Sequence, residues 1–171
     1  MRRTQRKIMK GLAAGAAGGL VASWAMNQFQ AAWSTAKQAA NDGAGSQRQT
    51  SDDSEDATMK TADRVVQPVL GRSLSREEKK RGGPIVHYAF GSLVGAAYGA
   101  VNELMPKLHT GFGLPYGAAV FVGADEIAVP ALGLSQPPQK SPLSSHAYAL
   151  ASHLVYGAVL EGVRRGIRRA W

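Results

Sequence analysis

Asp125 and Glu126 stand side by side in VGADEIAVPAL (Val122–Leu132), a run that is otherwise apolar. Paired carboxylates can hold a proton, a cation or a histidine, and a histidine is available at His153 in SHLVYGAVLEG. Pro130 adds to the site, because it lacks the amide that would bond the Glu126 carbonyl four residues back. Glu103 and Glu161 complete the acids outside residues 34–83, and His87 and His146 join the histidines. What such residues do depends on their solvent, since an ionisable group in hydrocarbon must face protein or water.

The charges point to that solvent. The chain of 171 residues has a formal net charge of +8 and no cysteine, which leaves no disulfide, thiolate metal site or cysteine nucleophile. Arg2, Arg3, Arg6, Lys7 and Lys10 crowd the start, and Arg164, Arg165, Arg168 and Arg169 crowd the end. Between them, 11–33, 84–105, 113–134 and 146–163 hold no Lys or Arg. Such lengths approach the ~20 residues that span a bilayer core. Cations at the ends of uncharged segments fit a membrane protein better than a nucleic-acid binder, so lipid is the expected partner and nucleic acid is not. The mean hydropathy of −0.17 argues the other way, and the polar insert accounts for much of it.

The expected fold is therefore all-α: four Gly/Ala-rich transmembrane helices with a long polar, partly disordered insert after the first. The boundaries are 1–33 for the basic start and first helix, 34–83 for the insert, and 84–171 for a three-helix membrane core. Within the insert, NDGAGSQRQTSDDSEDA is too polar to bury a core. Ser75 with Glu78 makes a capping box for a short helix, which Gly82, Gly83 and Pro84 are expected to stop. The positive-inside rule places both termini in the cytoplasm, the Pro106–Thr110 turn inside and the Ser135–Pro142 loop outside. Two other readings stay open: a cleaved signal sequence at the start, and a soluble helical domain.

Each segment carries small or polar residues four apart, along one helix face. The first has Gly11, Gly15, Gly19, Ser23 and Asn27; the second has His87, Gly91, Gly95, Gly99 and Glu103. The third has Gly113, Gly117, Phe121 and Asp125; the fourth has Ser145, Ala149, His153, Gly157 and Glu161. Such rows let helix backbones approach closely where lipid supplies little drive for association. The second and fourth align at an offset of 58 residues, Tyr98-Gly-Ala-Val-Asn-Glu103 on Tyr156-Gly-Ala-Val-Leu-Glu161.

Depth separates the acids. Glu103 and Glu161 lie about a turn from the cytoplasmic ends, as interfacial carboxylates near Lys107 and Arg164. His87 and His146 read as ordinary residues of the opposite interface. Asp125 and Glu126 lie roughly 15 Å in, level with His153. Neighbours about 100° apart on an α-helix cannot meet one partner, so one faces His153 and the other a second helix, a protomer or a water-filled gap. Interhelical hydrogen bonding is the first reading of this cluster; a proton- or cation-handling site is the sharper one.

HYAFGSLVGAAYGAVNELMPK (His87–Lys107), GADEIAVPALGLSQPP (Gly123–Pro138) and SHLVYGAVLEGVRR (Ser152–Arg165) resemble the YagU-like bacterial inner-membrane proteins, a family defined by a domain of unknown function. PVLGRSLSREEKK (Pro68–Lys80) is similar to the segment preceding that core in some relatives. The resemblance implies a small multi-span inner-membrane protein and supplies no catalytic residues or cofactor. No HExxH, Walker A loop, GxSxG elbow or dinucleotide fingerprint occurs, so no enzyme is expected. The function expected is a structural or stress-related membrane role, with a small proton- or cation-linked channel or transporter subunit as alternative. A homo-oligomer would supply the path that so short a chain lacks.

Overall fold

A computed structural model describes residues 3–42, 56–105 and 111–171. Every long element in them is helical: α1 (Arg3–Asp42), α2 (Ala57–Leu70), α3 (Arg76–Leu104), α4 (Leu114–Val120), α5 (Val129–Ala131) and α6 (Leu143–Ala170). A π-helical run, Phe121–Ala128, joins α4 to α5, and a single 3-10 turn, Pro138–Lys140, precedes α6. The polar tract expected from the sequence spans 41–57: its first two residues end α1, Asp56 caps α2 and Ala57 opens it, while 43–55 and the Pro106–Thr110 turn lie outside the described residues.

The small-residue rows meet in pairs. Gly11, Gly15 and Gly19 on α1 face the carbonyls of Gly99, Gly95 and Gly91 on α3, and Gly95 and Gly99 return the contact to Gly15 and Gly11. Ascending numbers against descending numbers make the pair antiparallel. Gly113 and Gly117 likewise lie on the Gly157 and His153 carbonyls of α6, again antiparallel. A Cβ at Gly11, Gly15, Gly19, Gly95, Gly99, Gly113, Gly117 or Gly157 would strike backbone, and one at Gly91 would strike the Ser23 hydroxyl, so only hydrogen permits this spacing. Tyr98 and Tyr156, equivalent under the 58-residue offset, are both buried beside their glycines, in a core with Ala22, Met26 and Leu160.

α1 also lies antiparallel to α6. Gly18 abuts Leu160, Phe29 and Trp33 stack on Tyr148, and the Lys10 ammonium donates to the Trp171 carbonyl at 2.9 Å. Helices α1, α3, the α4–α5 segment and α6 therefore run up, down, up, down. Two tyrosines tie the layers: Tyr116 donates to the Val94 carbonyl and Tyr156 to that of Gly91, each at 2.6 Å.

Three local expectations change. α1 continues beyond Trp33 to Asp42, because residues 34–42 are mostly good helix formers in a helix already nucleated. The capping box at Ser75 and Glu78 is present, but its helix does not stop at Gly82-Gly83-Pro84; α3 runs through them to Leu104. Those glycines serve packing instead. Gly82 lies under Ala62, and Gly83 under Thr58 and Met59, so α2 sits flat on the first turns of α3. Finally, α1 is the one described helix long and apolar enough to cross a membrane by length and composition. Four spans do not follow from that criterion.

The α2–α3 junction is held by charge. Glu78 takes a bidentate pair from Arg72 at 2.7 and 2.8 Å and accepts the Ser75 amide at 2.8 Å. Arg72 first, then the Ser75 amide, hold the Glu78 carboxyl at about 2 rather than its ordinary 4.5. The amide of Leu74, donating at 2.6 Å, holds Asp63 low in the same sense, aided by Lys79.

Two outcomes follow. Gly15→Ala should lower unfolding stability by about 2–3 kcal/mol, since it drives a methyl into backbone. Gly123→Ala, with nothing within 4 Å, should be neutral; thermal melts in detergent compare them. A depressed carboxyl stabilises fully above its ordinary value and loses that contribution as pH falls. Amide exchange of residues 72–78, corrected for intrinsic rate, should therefore show protection falling from pH 4.5 toward 2 in wild type. Glu78→Gln should flatten that profile.

Candidate functional site

The π run decides where the carboxylates point. The Val129 amide bonds the Ala124 carbonyl five residues back, and the α register returns with the Leu132 amide on Ala128. Pro130 sits between those two bonds, where the register changes, and brings no donor to misplace. A wider turn puts successive side chains at smaller angles than in an α-helix. Asp125 and Glu126 consequently both reach α6, at two levels.

Glu126 Oε1 lies 2.7 Å from His146 Nδ1, whose other nitrogen is 3.0 Å from the Pro138 carbonyl. The second nitrogen thus ties the 3-10 turn to the helix. Asp125 Oδ2 lies 3.7 Å from His153 Nδ1. That distance is too long for a hydrogen bond, and the same nitrogen is 2.9 Å from the Ala149 carbonyl, its natural acceptor. His153 is buried, with Phe121 against its ring, whereas the Asp125 side chain keeps 41% of its surface open.

Asp125 is the acid that faces His153, and what changes is the expectation for the other: Glu126 meets a second histidine of the same helix rather than a second helix, a protomer or a water-filled gap. His146 is also more than an interface residue. It lies seven residues before His153, two turns along one face, and that spacing was the signal available in the sequence.

Asp125 opens on a cavity of about 810 Å³ between α1, α2, α3, the π run and α6. His87 and Ser23 line it, and both carry a buried polar atom, His87 Nε2 and Ser23 Oγ, without a partner among the described residues. The four-residue rows flagged both positions as packing residues, and nothing in the sequence brings them to one wall. Among the described residues no three His, Asp or Glu side chains are grouped to hold a metal ion.

Glu103 and Glu161 belong to the opposite end. Glu161 is fully buried between Arg164, at 2.6 and 2.9 Å, and Arg165 at 2.5 Å. Arg164 lies over the Tyr98 ring. Glu103 on α3 takes Arg168 of α6 at 2.6 and 3.1 Å, joining the two parallel helices. The structure therefore brings Asp125 to His153 and Glu126 to His146, and sets Glu103 and Glu161 apart as an ionic clasp. Glu161→Gln should destabilise by about 3–5 kcal/mol, because it leaves a buried guanidinium uncompensated. Glu103→Gln, in a more accessible pair, should cost less in the same thermal melts.

Comparison with known proteins gives one match. The family model described as "Protein of unknown function (DUF1440)" matches residues 72–162, just over half of the chain. The matched part holds α3, the π run and most of α6, and with them Glu103, Asp125, Glu126, His146, His153 and Glu161, while Arg164, Arg165 and Arg168 lie beyond its end. No curated protein and no solved structure matches the chain.

Proposed function

We propose that this chain, which belongs to the DUF1440 family, is a multi-pass membrane protein whose four antiparallel helices cross the bacterial inner membrane with both termini in the cytoplasm. Its role on this reading is structural rather than enzymatic. The observation that carries it is the distribution of residue types. The interior holds Gly15, Gly95, Ser152, His153 and Glu161, while Leu20, Trp24, Phe90, Leu93, Val122 and Ile127 are exposed at the same levels of the bundle. In water that shell would be an extended sticky patch. In hydrocarbon it is the solvated surface, and the small residues do the packing.

The same inversion explains why, among the described helices, only α1 is long and apolar enough to cross a membrane by length and composition. α3 and α6 carry their polar residues inward and longer polar ends beyond, which lower the average of helices whose outer faces are apolar. Nine cations gathered where α1 begins and α6 ends support a cytoplasmic placement of that end. The resemblance to YagU-like proteins supports the inner membrane. A proton- or cation-handling role is the second reading, favoured by the open Asp125 carboxylate beside His153.

The protein should stay in the pellet on alkaline carbonate extraction. Because the chain has no cysteine, single cysteines can report its topology. At Thr4 and Ala170 they should be shielded from impermeant maleimide in intact cells, whereas one at Gln139 should react. Release by carbonate, or labelling of the termini, would refute the placement.

A further inference from the structure

We infer that the cavity beside Asp125 is a binding site for a small organic cation with an apolar body, an amphiphilic ammonium. The proposal concerns binding alone and draws on the interior of the bundle, not on how many helices cross the bilayer or whether any ion moves through it. About 810 Å³ lies within the ~300–1,000 Å³ of small-molecule sites. Met26, Phe90, Val94, Val129 and Leu132 give apolar walls, and the described lining residues include no Lys or Arg.

The charge inside is therefore acidic. Asp56 lines the rim, where its Oδ1 caps α2 by accepting the Met59 amide at 2.8 Å and the Thr58 hydroxyl at 2.7 Å; these neutral donors leave its charge in place. Asp125 is the second carboxylate: 41% of its side chain is open and its neighbour His153 stands at 3.7 Å. Arg64 lies outside this wall, tied to the Leu132 carbonyl.

Ser23 and His87 add polar residues to the wall, and Ser23 Oγ and His87 Nε2 are without a partner among the described residues. Ser23 Oγ packs against Gly91 and neither atom is open to the cavity, so a side-chain shift must accompany any hydrogen bond from an ammonium to them. Phe90 and Tyr156 offer aromatic surface on which a cation is also stabilised. An anion finds no counter-charge here, and a hydrated metal ion finds neither three grouped ligands nor polar walls.

The test uses the full chain in lipid nanodiscs and three probes of one shape: phenylbutylammonium, phenylbutanol and phenylbutyrate. Titration calorimetry against empty nanodiscs removes partitioning into lipid. The cation should bind saturably, the alcohol roughly tenfold more weakly, and the carboxylate not at all. Asp125→Asn should weaken the cation roughly tenfold and leave the alcohol unchanged. Should that variant misfold, Thr61→Trp, which fills the mouth from α2 and leaves Asp125 in place, should abolish binding of both. The proposal is overturned if the wild type shows no saturable binding, if the alcohol or carboxylate binds as tightly as the cation, or if a folded Asp125→Asn or Thr61→Trp protein binds the cation as wild type does. None of these outcomes bears on carbonate extraction, so the membrane placement stands or falls separately.

Discussion

The approach of the α1 backbone to the α3 backbone, through Gly11, Gly15 and Gly19 against Gly99, Gly95 and Gly91, sets the spacing from which the other contacts take their positions. A helix pair so close has no room for large side chains at the contact itself; Met26 and Tyr98 pack beside it toward α6 and the rest turn outward, so the packing and much of the apolar shell have one cause. The second pair, Gly113 and Gly117 against α6, repeats the constraint. Tyr156 and Tyr116, bonded to carbonyls of α3, then bridge the two pairs. On the proposed membrane placement, dispersion and backbone contact hold such a bundle, since hydrocarbon supplies little hydrophobic drive between helices.

Charge is distributed by end. The end where α1 starts has its buried acids compensated: Glu161 by two arginines and Glu103 by a third from another helix. Buried atoms without a partner among the described residues occur at both ends: Tyr98 Oη and Asn102 Oδ1 beside the clasp, Ser23 Oγ and His87 Nε2 at the other. At that other end Glu126 has His146, but Asp125 is open and lines a cavity. The open carboxylate on a cavity is the reason to seek a ligand at one end and a clasp at the other.

Local signals were legible where they depended on neighbours in the chain. Four-residue spacing identified the glycine faces, and the Ser75 and Glu78 pair identified a helix start. The same local reasoning failed at Gly82-Gly83-Pro84, where glycines that should end a helix serve instead as a seat for α2. It placed Asp125 facing His153 but missed the partner of Glu126, because a π register is set by the whole run and its proline rather than by the two residues.

The sequence by itself determined an all-helical chain with small inner faces, apolar outer ones and cations at its ends, because periodicity and composition are properties of each helix alone. Tertiary structure decided which row meets which, that Glu103 reaches Arg168, that both central carboxylates address α6, and that Asp125, His87 and Ser23 share one cavity. Those facts join residues up to 102 positions apart on three helices and a π run, and no single helix carries the information that places them.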